Sequence, residues 1–351
     1  MILKKITITN FRNFDNFVFC FSPSLTIIIG KNSIGKTNLL EAVYFSLKSR
    51  GFREQKEEEL INYDKIKADV QIELAEQKEE TKLKINIEKN DPPASGVVKN
   101  CFVNKIRKKS YQYLLESLPV VIFSPNFVYV IEGEPGERRS YFDIIIAIFD
   151  IEYKKRLVNY ESALRKRNKI LELEKNIEKL KEDLEFWDDY LIEQANYIAM
   201  KRQELIDFFN KHRQVDSKNF SIDYVKNEFS RETLDKTFKK QLILKKTLIG
   251  PQRDDFIINI KTPSGFKNVH KFGSRSEQRL ALFWLVLNEI NLYQEILKKR
   301  PLVLLDDVFS ELDITNKELV LKLIKKYQTV ITTTEENILS LVDMPHTIIN
   351  L

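Results

Sequence analysis

Cysteine is nearly absent: Cys20 and Cys101 are the only two in 351 residues, and they form no CxxC pair. A disulfide framework is thereby excluded, and a reducing, cytoplasmic compartment is expected. Long apolar runs are missing too. Residues 144–149 and 280–287 fall far short of the roughly 20 needed to cross a bilayer, so no membrane partner is expected. The first 14 residues mix lysine, arginine and asparagine among apolar side chains, which does not make a secretory signal. A strong excess of one charge is also lacking. The net charge of +6 permits an anionic partner without demanding one, and the residues themselves contain no nucleic-acid motif. Glycine is the last scarcity, with 9 in the chain.

Two of those glycines, Gly30 and Gly35, fall in the run GKNSIGKT, residues 30–37. The spacing is that of a phosphate-binding loop: glycine, four residues, glycine, lysine, then serine or threonine. Residues 25–29 (LTIII) before it read as a buried strand, and residues 38–47 after it as an amphipathic helix. The motif therefore sits where its chemistry needs it. Backbone N–H groups of Gly30, Lys31, Asn32, Ser33, Ile34 and Gly35, with the helix N-terminus behind them, would cradle phosphate oxygens. Lys36 would reach the terminal phosphates, and Thr37 would offer its hydroxyl to Mg²⁺.

A length of 351 residues exceeds one ordinary core, which implies two domains or one domain with a large insertion. Residues 2–9 alternate as a strand, NFRNFDN reads as a turn, and residues 17–21 as the returning strand. Arg12 and Asn13 in that turn are open to two readings: contact with nucleotide, or support of the hairpin. Further strands are expected over residues 67–74, 81–88 and 118–123, with KIRKK (105–109) as a basic loop. Arg138 and Arg139 at a helix entry would grip an anion or carboxylates of a neighbouring domain, or simply pair along the helix surface. Residues 153–210 carry the apolar spacing of two helices packed on each other, with a turn near 172–176. Short strands are expected at 220–224 and 256–260, and an apolar helix at 280–290.

PLVLLDD, residues 301–307, is an apolar strand ending in two carboxylates. Beside a phosphate loop, Asp306 would bind Mg²⁺ and Asp307 would orient and deprotonate the attacking water; the competing reading is a solvated acidic turn. Strands at 329–334 and 347–351 follow. Both chain ends thus read as strands separated by helices. The expected class is an α/β sheet assembled from both termini, with a helical section inserted between them.

The pattern as a whole resembles the head of ABC-type ATPases of the SMC/Rad50 group and, within it, the RecF family of bacterial recombination mediators. NFRNF, the phosphate loop, FSPN (123–126), GEPGERR (133–139), Tyr160 with Arg167-Asn168, GPQRDD (250–255), FGSRSEQR (272–279) and LLDDVFSELD carry the resemblance in that order. It implies a P-loop ATPase head over residues 1–125 and 246–351, with a compact α-helical arm over 126–245. It assigns residues 274–277 to the signature motif that caps the nucleotide of a second subunit, so that Ser274 would touch nucleotide across an ATP-dependent homodimer. Asp313 would belong to the loop crossing that interface, and residues 332–334 to the sensor position. This chain departs from the family pattern where Ser33 and Ser276 stand in place of frequent glycines, Glu277 in place of a frequent glutamine and Gln252 in place of a frequent histidine. The implied function is a slow, switch-like, Mg²⁺-dependent ATPase of recombinational repair, replication and the SOS response. Its implied partners are single- and double-stranded DNA at gapped junctions and mediators of the RecR and RecO type.

Three other functions share part of this pattern. A transporter subunit or a structural SMC-like head is the main alternative, and the long helical insertion and divergent signature argue against the transporter. A Rad50-like tether requires a long coiled coil and a cysteine hook. A small-metabolite kinase has no use for FGSRSEQR or FSELD.

Overall fold

The computed structural model describes every residue except 55, 78, 92–94, 175, 312–313 and 335–342, and the side chains except also those of 310, 311 and 314–316. Asp313 therefore lies outside the described residues. In chain order the described strands are β1 (Ile2–Phe11), β2 (Phe14–Cys20), β3 (Leu25–Ile29), β4 (Lys67–Glu76), β5 (Glu79–Lys89), β6 (Val97–Val103), β7 (Ile106–Lys108), β8 (Val120–Phe123), β9 (Gln214–Val215), β10 (Lys218–Val225), β11 (Asp255–Thr262), β12 (Gly265–Asn268), β13 (Leu302–Leu305), β14 (Thr329–Thr333) and β15 (His346–Asn350). The chain groups into two units: residues 1–127 with 289–351, and residues 128–288.

The first unit is built from both chain ends, as expected. Its parallel sheet runs β15-β3-β14-β13-β8. LTIII, LVLL, VVIF and TVITT show no polar alternation because these strands are covered on both faces. Register pairs Ile29 with Thr333 and Leu305 with both Ile331 and Phe123, so four strands end along one edge. The segments that leave this edge carry the candidate chemistry. A second sheet, β2-β1-β4-β5-β6-β7, does alternate. Val70, Ile72, Leu74, Leu83, Ile85 and Ile87 turn into the core, while Lys84–Asp69 and Lys82–Glu73 pair at 3.0 and 3.1 Å outside. KIRKK is not simply a basic loop: Ile106–Lys108 form the edge strand β7 against β6.

Between these sheets lies the helix Lys36–Lys48, in contact with β1, β4, β5, β8 and β14. Leu39, Leu40, Ala42, Val43 and Phe45 are fully buried, so its apolar surface exceeds one stripe. Fully burying a side chain of the Leu or Phe class stabilises by about 1.5–3 kcal/mol. Phe45→Ala would also leave a cavity and cost about 3–5 kcal/mol. The helix stops at Ser49, whose φ of 56° closes the last turn through its N–H to Phe45 O.

The second unit contains the long helices Ile151–Leu173 and Ile177–Lys211, capped by Asp150 and Asn176. The compact helical arm carries more strand than expected: the strands foreseen at 220–224 and 256–260 are β10 and β11, the middle of an antiparallel sheet β12-β11-β10-β9 in this unit. Residues 246–288 group here and not with the expected C-terminal head part, since β11 pairs along the whole of β10 from Phe220↔Ile260 to Val225↔Asp255. GEPGERR and GPQRDD meet inside this unit. Arg138 clamps Asp255 through two nitrogens at 2.7 and 3.0 Å, and Arg139 donates to Asp254 O at 2.7 Å. Arg138 thus grips a carboxylate, but one of its own unit and not of a neighbouring domain, and Arg139 holds a backbone carbonyl. Arg202 and Arg167, 2 % and 0 % exposed, bond Asp143 and Asp254, and Asp188, Gln241 and Thr247, respectively. Removing one partner of so buried a pair costs about 3–5 kcal/mol.

Candidate functional site

β3 delivers the chain into the loop, and the loop turns back into the helix at Lys36. The turn needs positive φ twice: Ser33 at 65° and Gly35 at 119°. At Gly35 any Cβ would lie 2.6 Å from Asn13 Nδ2. Asn13 is that close because it holds the loop: its Nδ2 donates to Ile34 O at 3.0 Å, and its Oδ1 accepts from Asn38 Nδ2 at 2.7 Å. Arg12 donates through Nε to Glu41 at 2.8 Å. The fully buried Glu41 carboxylate also takes Arg53 Nη2 at 3.0 Å and the backbone N–H groups of Phe52 and Arg53. Hairpin, loop and helix are thus fastened together behind the motif.

Lys36 is 7 % exposed, and its ammonium donates to the carbonyls of Gly30 and Lys31 at 2.7 and 2.8 Å. Burial lowers its pKa, and the carboxylates of Asp307 and Asp306 work in the opposite direction. An ammonium has three donors, so a third remains beyond the two loop carbonyls.

Asp306, 4 % exposed at the end of β13, gathers hydroxyls from three separate segments. Thr37 Oγ1 donates to Oδ1 at 2.9 Å, Thr332 Oγ1 to the same oxygen at 2.8 Å, and Ser124 Oγ to Oδ2 at 3.2 Å. Thr332 Oγ1 in turn accepts the Asp307 N–H at 2.9 Å. Asp307 has a φ of 48°, a left-handed conformation sparsely populated by non-glycine residues, which turns the chain sharply off the strand. Lys36, Thr37, Asp306, Asp307 and Thr332, together with Asn32, Asn38 and Arg53, line a cavity of about 280 Å³. Neither Arg53, on the cavity wall, nor Ser124, on the Asp306 carboxylate, is marked out by its sequence neighbours. Arg53 follows a helix in a segment without periodicity, and Ser124 carried only its place in FSPN.

The donor set fits Mg²⁺. Adjacent vertices of an octahedron with metal–oxygen distances of about 2.1 Å are about 3.0 Å apart, and Thr37 Oγ1 and Asp306 Oδ1 are 2.9 Å apart. Among the described residues no group of three or more His, Cys, Asp or Glu could enclose a metal. A cation here would share its shell with phosphate and water oxygens, as Mg²⁺ does at nucleotide sites.

Ser274 belongs to the second unit, where it begins the helix Arg275–Leu297. Its hydroxyl accepts Glu277 N–H at 3.2 Å, and Glu277 Oε2 accepts Ser274 N–H at 2.7 Å, a reciprocal cap. Lys267 Nζ donates to both Glu277 oxygens at 2.8 Å. Burial works to raise the Glu277 pKa, and Lys267 and Ser274 overcome it, so the carboxylate lies below its usual value. A charged residue at this position is thereby matched by a lysine from β12.

Comparison with known proteins gives this geometry its family. The RecF/RecN/SMC N-terminal domain matches residues 2–350. The chain is 32% identical over 349 residues to the DNA replication and repair protein RecF of Clostridium botulinum (strain ATCC 19397 / Type A), covering 95% of this chain and 93% of that protein. It is 31% identical over 347 residues to the RecF of Lachnoclostridium phytofermentans, again covering 95% and 93%. Among solved structures, the recombination mediator protein RecF-ATP of the RecFOR pathway superposes with a TM-score of 0.80 at 28% identity, over 95% of this chain and 93% of that one. A Pyrococcus furiosus Smc head domain bound to the C-terminal domain of ScpA superposes at 0.53 with 19% identity, covering 99% and 93%, a likeness of fold alone. A phosphate loop tied to a carboxylate strand from the opposite chain end, in a chain matched along nearly its whole length, thus places this protein in the RecF family of DNA replication and repair proteins.

Proposed function

We propose that this chain binds and slowly hydrolyses ATP as a switch that makes two copies clamp DNA during recombinational repair. The observation that carries the reading is the Asp306 cluster. One buried carboxylate draws together the hydroxyl of Thr37 from the phosphate loop, Thr332 from β14 and Ser124 after β8. That arrangement is what a Mg²⁺–nucleotide site requires and what a solvated acidic turn does not.

In this reading the N–H groups of residues 30–35 cradle the phosphates, and the third Lys36 donor takes a terminal phosphate oxygen. Thr37 and Asp306 hold Mg²⁺, which supplies charge neutralisation at the phosphates. Asp307, turned into the same cavity, orients water and accepts its proton. Arg12 and Asn13 act behind the loop: their contacts are with Glu41, Ile34 and Asn38. Ser274, at the positive end of a long helix, caps the nucleotide of a second copy. Because ATP would touch both copies, binding closes the dimer and hydrolysis reopens it. DNA at gapped junctions, mediators of the RecR and RecO type, and a cytoplasmic location complete the proposal; the likeness to DNA replication and repair proteins and to a recombination mediator of the RecFOR pathway supports it.

Light scattering tests it. The wild type should become dimeric with ATP–Mg²⁺, and Lys36→Ala should remain monomeric with its circular dichroism unchanged. Ser274→Arg should bind ATP yet stay monomeric. A wild type that stays monomeric at saturating ATP overturns the switch. Binding of gapped DNA should strengthen with ATP and fall steeply with salt.

A further inference from the structure

The parallel sheet has a second edge, where β13 and β14 begin. Register pairs Val303 with Thr329, so the two turns that enter these strands lie side by side. One turn follows the helix Arg275–Leu297 and supplies Lys298, Lys299 and Arg300; the other follows Ile314–Ile324 and supplies Lys325 and Lys326. All five are exposed, and all five line one cavity of about 440 Å³, the larger of the two cavities described here. Among the described residues the only carboxylate in its lining is Glu76, which already takes the Met1 ammonium at 3.3 Å. Among the cations the lining includes the apolar surfaces of Pro119, Pro301, Tyr327 and Met344, with Ser24 and Gln328 beside them.

Cations after a helix are favoured by its macrodipole, but that effect accounts for a charge near each helix end and decays within a turn. It does not account for five cations around one partly apolar hollow. We propose that this cavity docks an acidic segment of a partner protein, with carboxylates on the lysine and arginine rim and an apolar side chain against Tyr327 and the prolines. A DNA duplex is the lesser fit, because its phosphates stand on a broad convex cylinder that meets a ridge or groove and does not enter a pocket. β13 has four residues, so the two ends of that strand are roughly 13 Å apart. The strand that begins at the cationic hollow is the one that ends at Asp306. An acidic segment would thus sit clear of the nucleotide while touching the strands that position its carboxylate and Thr332. The site is independent of the function proposed above.

The test uses the full chain and fluorescence anisotropy with a labelled peptide of aspartate and glutamate around a single phenylalanine. The wild type should bind it saturably, and a control with asparagine and glutamine in place of the acids should not bind. Lys298→Glu with Lys325→Glu should weaken binding about tenfold or more, two reversed ion pairs being enough for that, while the melting temperature and ATP affinity stay at wild-type values. Equal binding by wild type and variant overturns the proposal, as does a wild type that binds acidic and neutral peptides alike. A variant that loses a short DNA duplex but keeps the peptide assigns the rim to phosphate and overturns it too.

Discussion

Glu41 offers the sharpest test of how the site is held. Its carboxylate is fully buried and accepts four hydrogen bonds: Arg12 Nε at 2.8 Å, Arg53 Nη2 at 3.0 Å, and the backbone N–H groups of Phe52 and Arg53 at 3.3 and 3.1 Å. Glu41→Ala strands all of these donors. Breaking a buried ion pair by removing one partner costs about 3–5 kcal/mol. The arginine side chains are 18% and 29% exposed, so water recovers part of their loss. The two backbone donors and the void left by the side chain pull the other way, and the expected cost is about 3 kcal/mol. Glu41→Gln keeps the shape and one acceptor, and should cost about 1–2 kcal/mol. Hydrogen exchange localises the effect. In the alanine variant the amides of residues 49–54 and the loop 30–35 should exchange faster, while β10 and β11, in the other unit, keep their protection. Nucleotide affinity should fall, because the loop loses the brace behind it. An alanine variant with wild-type exchange at 49–54 and wild-type affinity would refute the claim that this carboxylate fastens hairpin, loop and helix together.

Other expectations are simpler. Asp307→Asn should bind ATP normally and hydrolyse it about 10²–10⁴ times more slowly in a phosphate-release assay; normal turnover would send the search for the base elsewhere. Thr37→Val keeps the packing but removes the hydroxyl from Asp306, so isothermal titration should show ATP affinity that no longer responds to added Mg²⁺. Desolvation by burial holds the Lys48 ammonium, beside Glu289 and Tyr293, down at about 8. A lysine whose folded pKa is lowered binds fewer protons folded than unfolded, so its charging penalty is full below pH 8 and fades as pH rises toward the unfolded value of roughly 10.4. The stability of the wild type relative to Lys48→Met should therefore rise over that window, by at most about 3 kcal/mol, in denaturant titrations at stepped pH. Ser274→Ala removes half of a reciprocal cap and should lower stability by about 1 kcal/mol in a thermal melt.

The phosphate loop was legible because its constraints are local. Spacing, flanking strand and following helix are all within a short stretch, and the φ values at Ser33 and Gly35 are set by the turn itself. The carboxylate strand was legible for the same reason: LVLL followed by two aspartates announces a buried strand with a charged end. Long helices and alternating strands were found within a few residues of their ends. What failed were short or edge elements, such as β7 within KIRKK and the edge strands β9 and β12 of the inserted unit, where a few residues carry too little periodicity.

The sequence by itself determined the chemistry available: which residues carry phosphate-binding donors, carboxylates and hydroxyls, and that both chain ends build one α/β head. Only the tertiary structure decided who meets whom. Thr37 and Asp306 are 269 positions apart, and Ser124 and Asp306 182, yet they share hydrogen bonds because parallel register aligns the ends of β8, β13 and β14. Arg12 and Asn13 carried two readings in the sequence. The fold brings Arg12 to Glu41 and Asn13 to the loop backbone, contacts set by packing against the helix Lys36–Lys48. Arg138 found its carboxylate in Asp255, 117 positions on. Such contacts depend on strand register and helix packing across long loops, and no local pattern of residues encodes them.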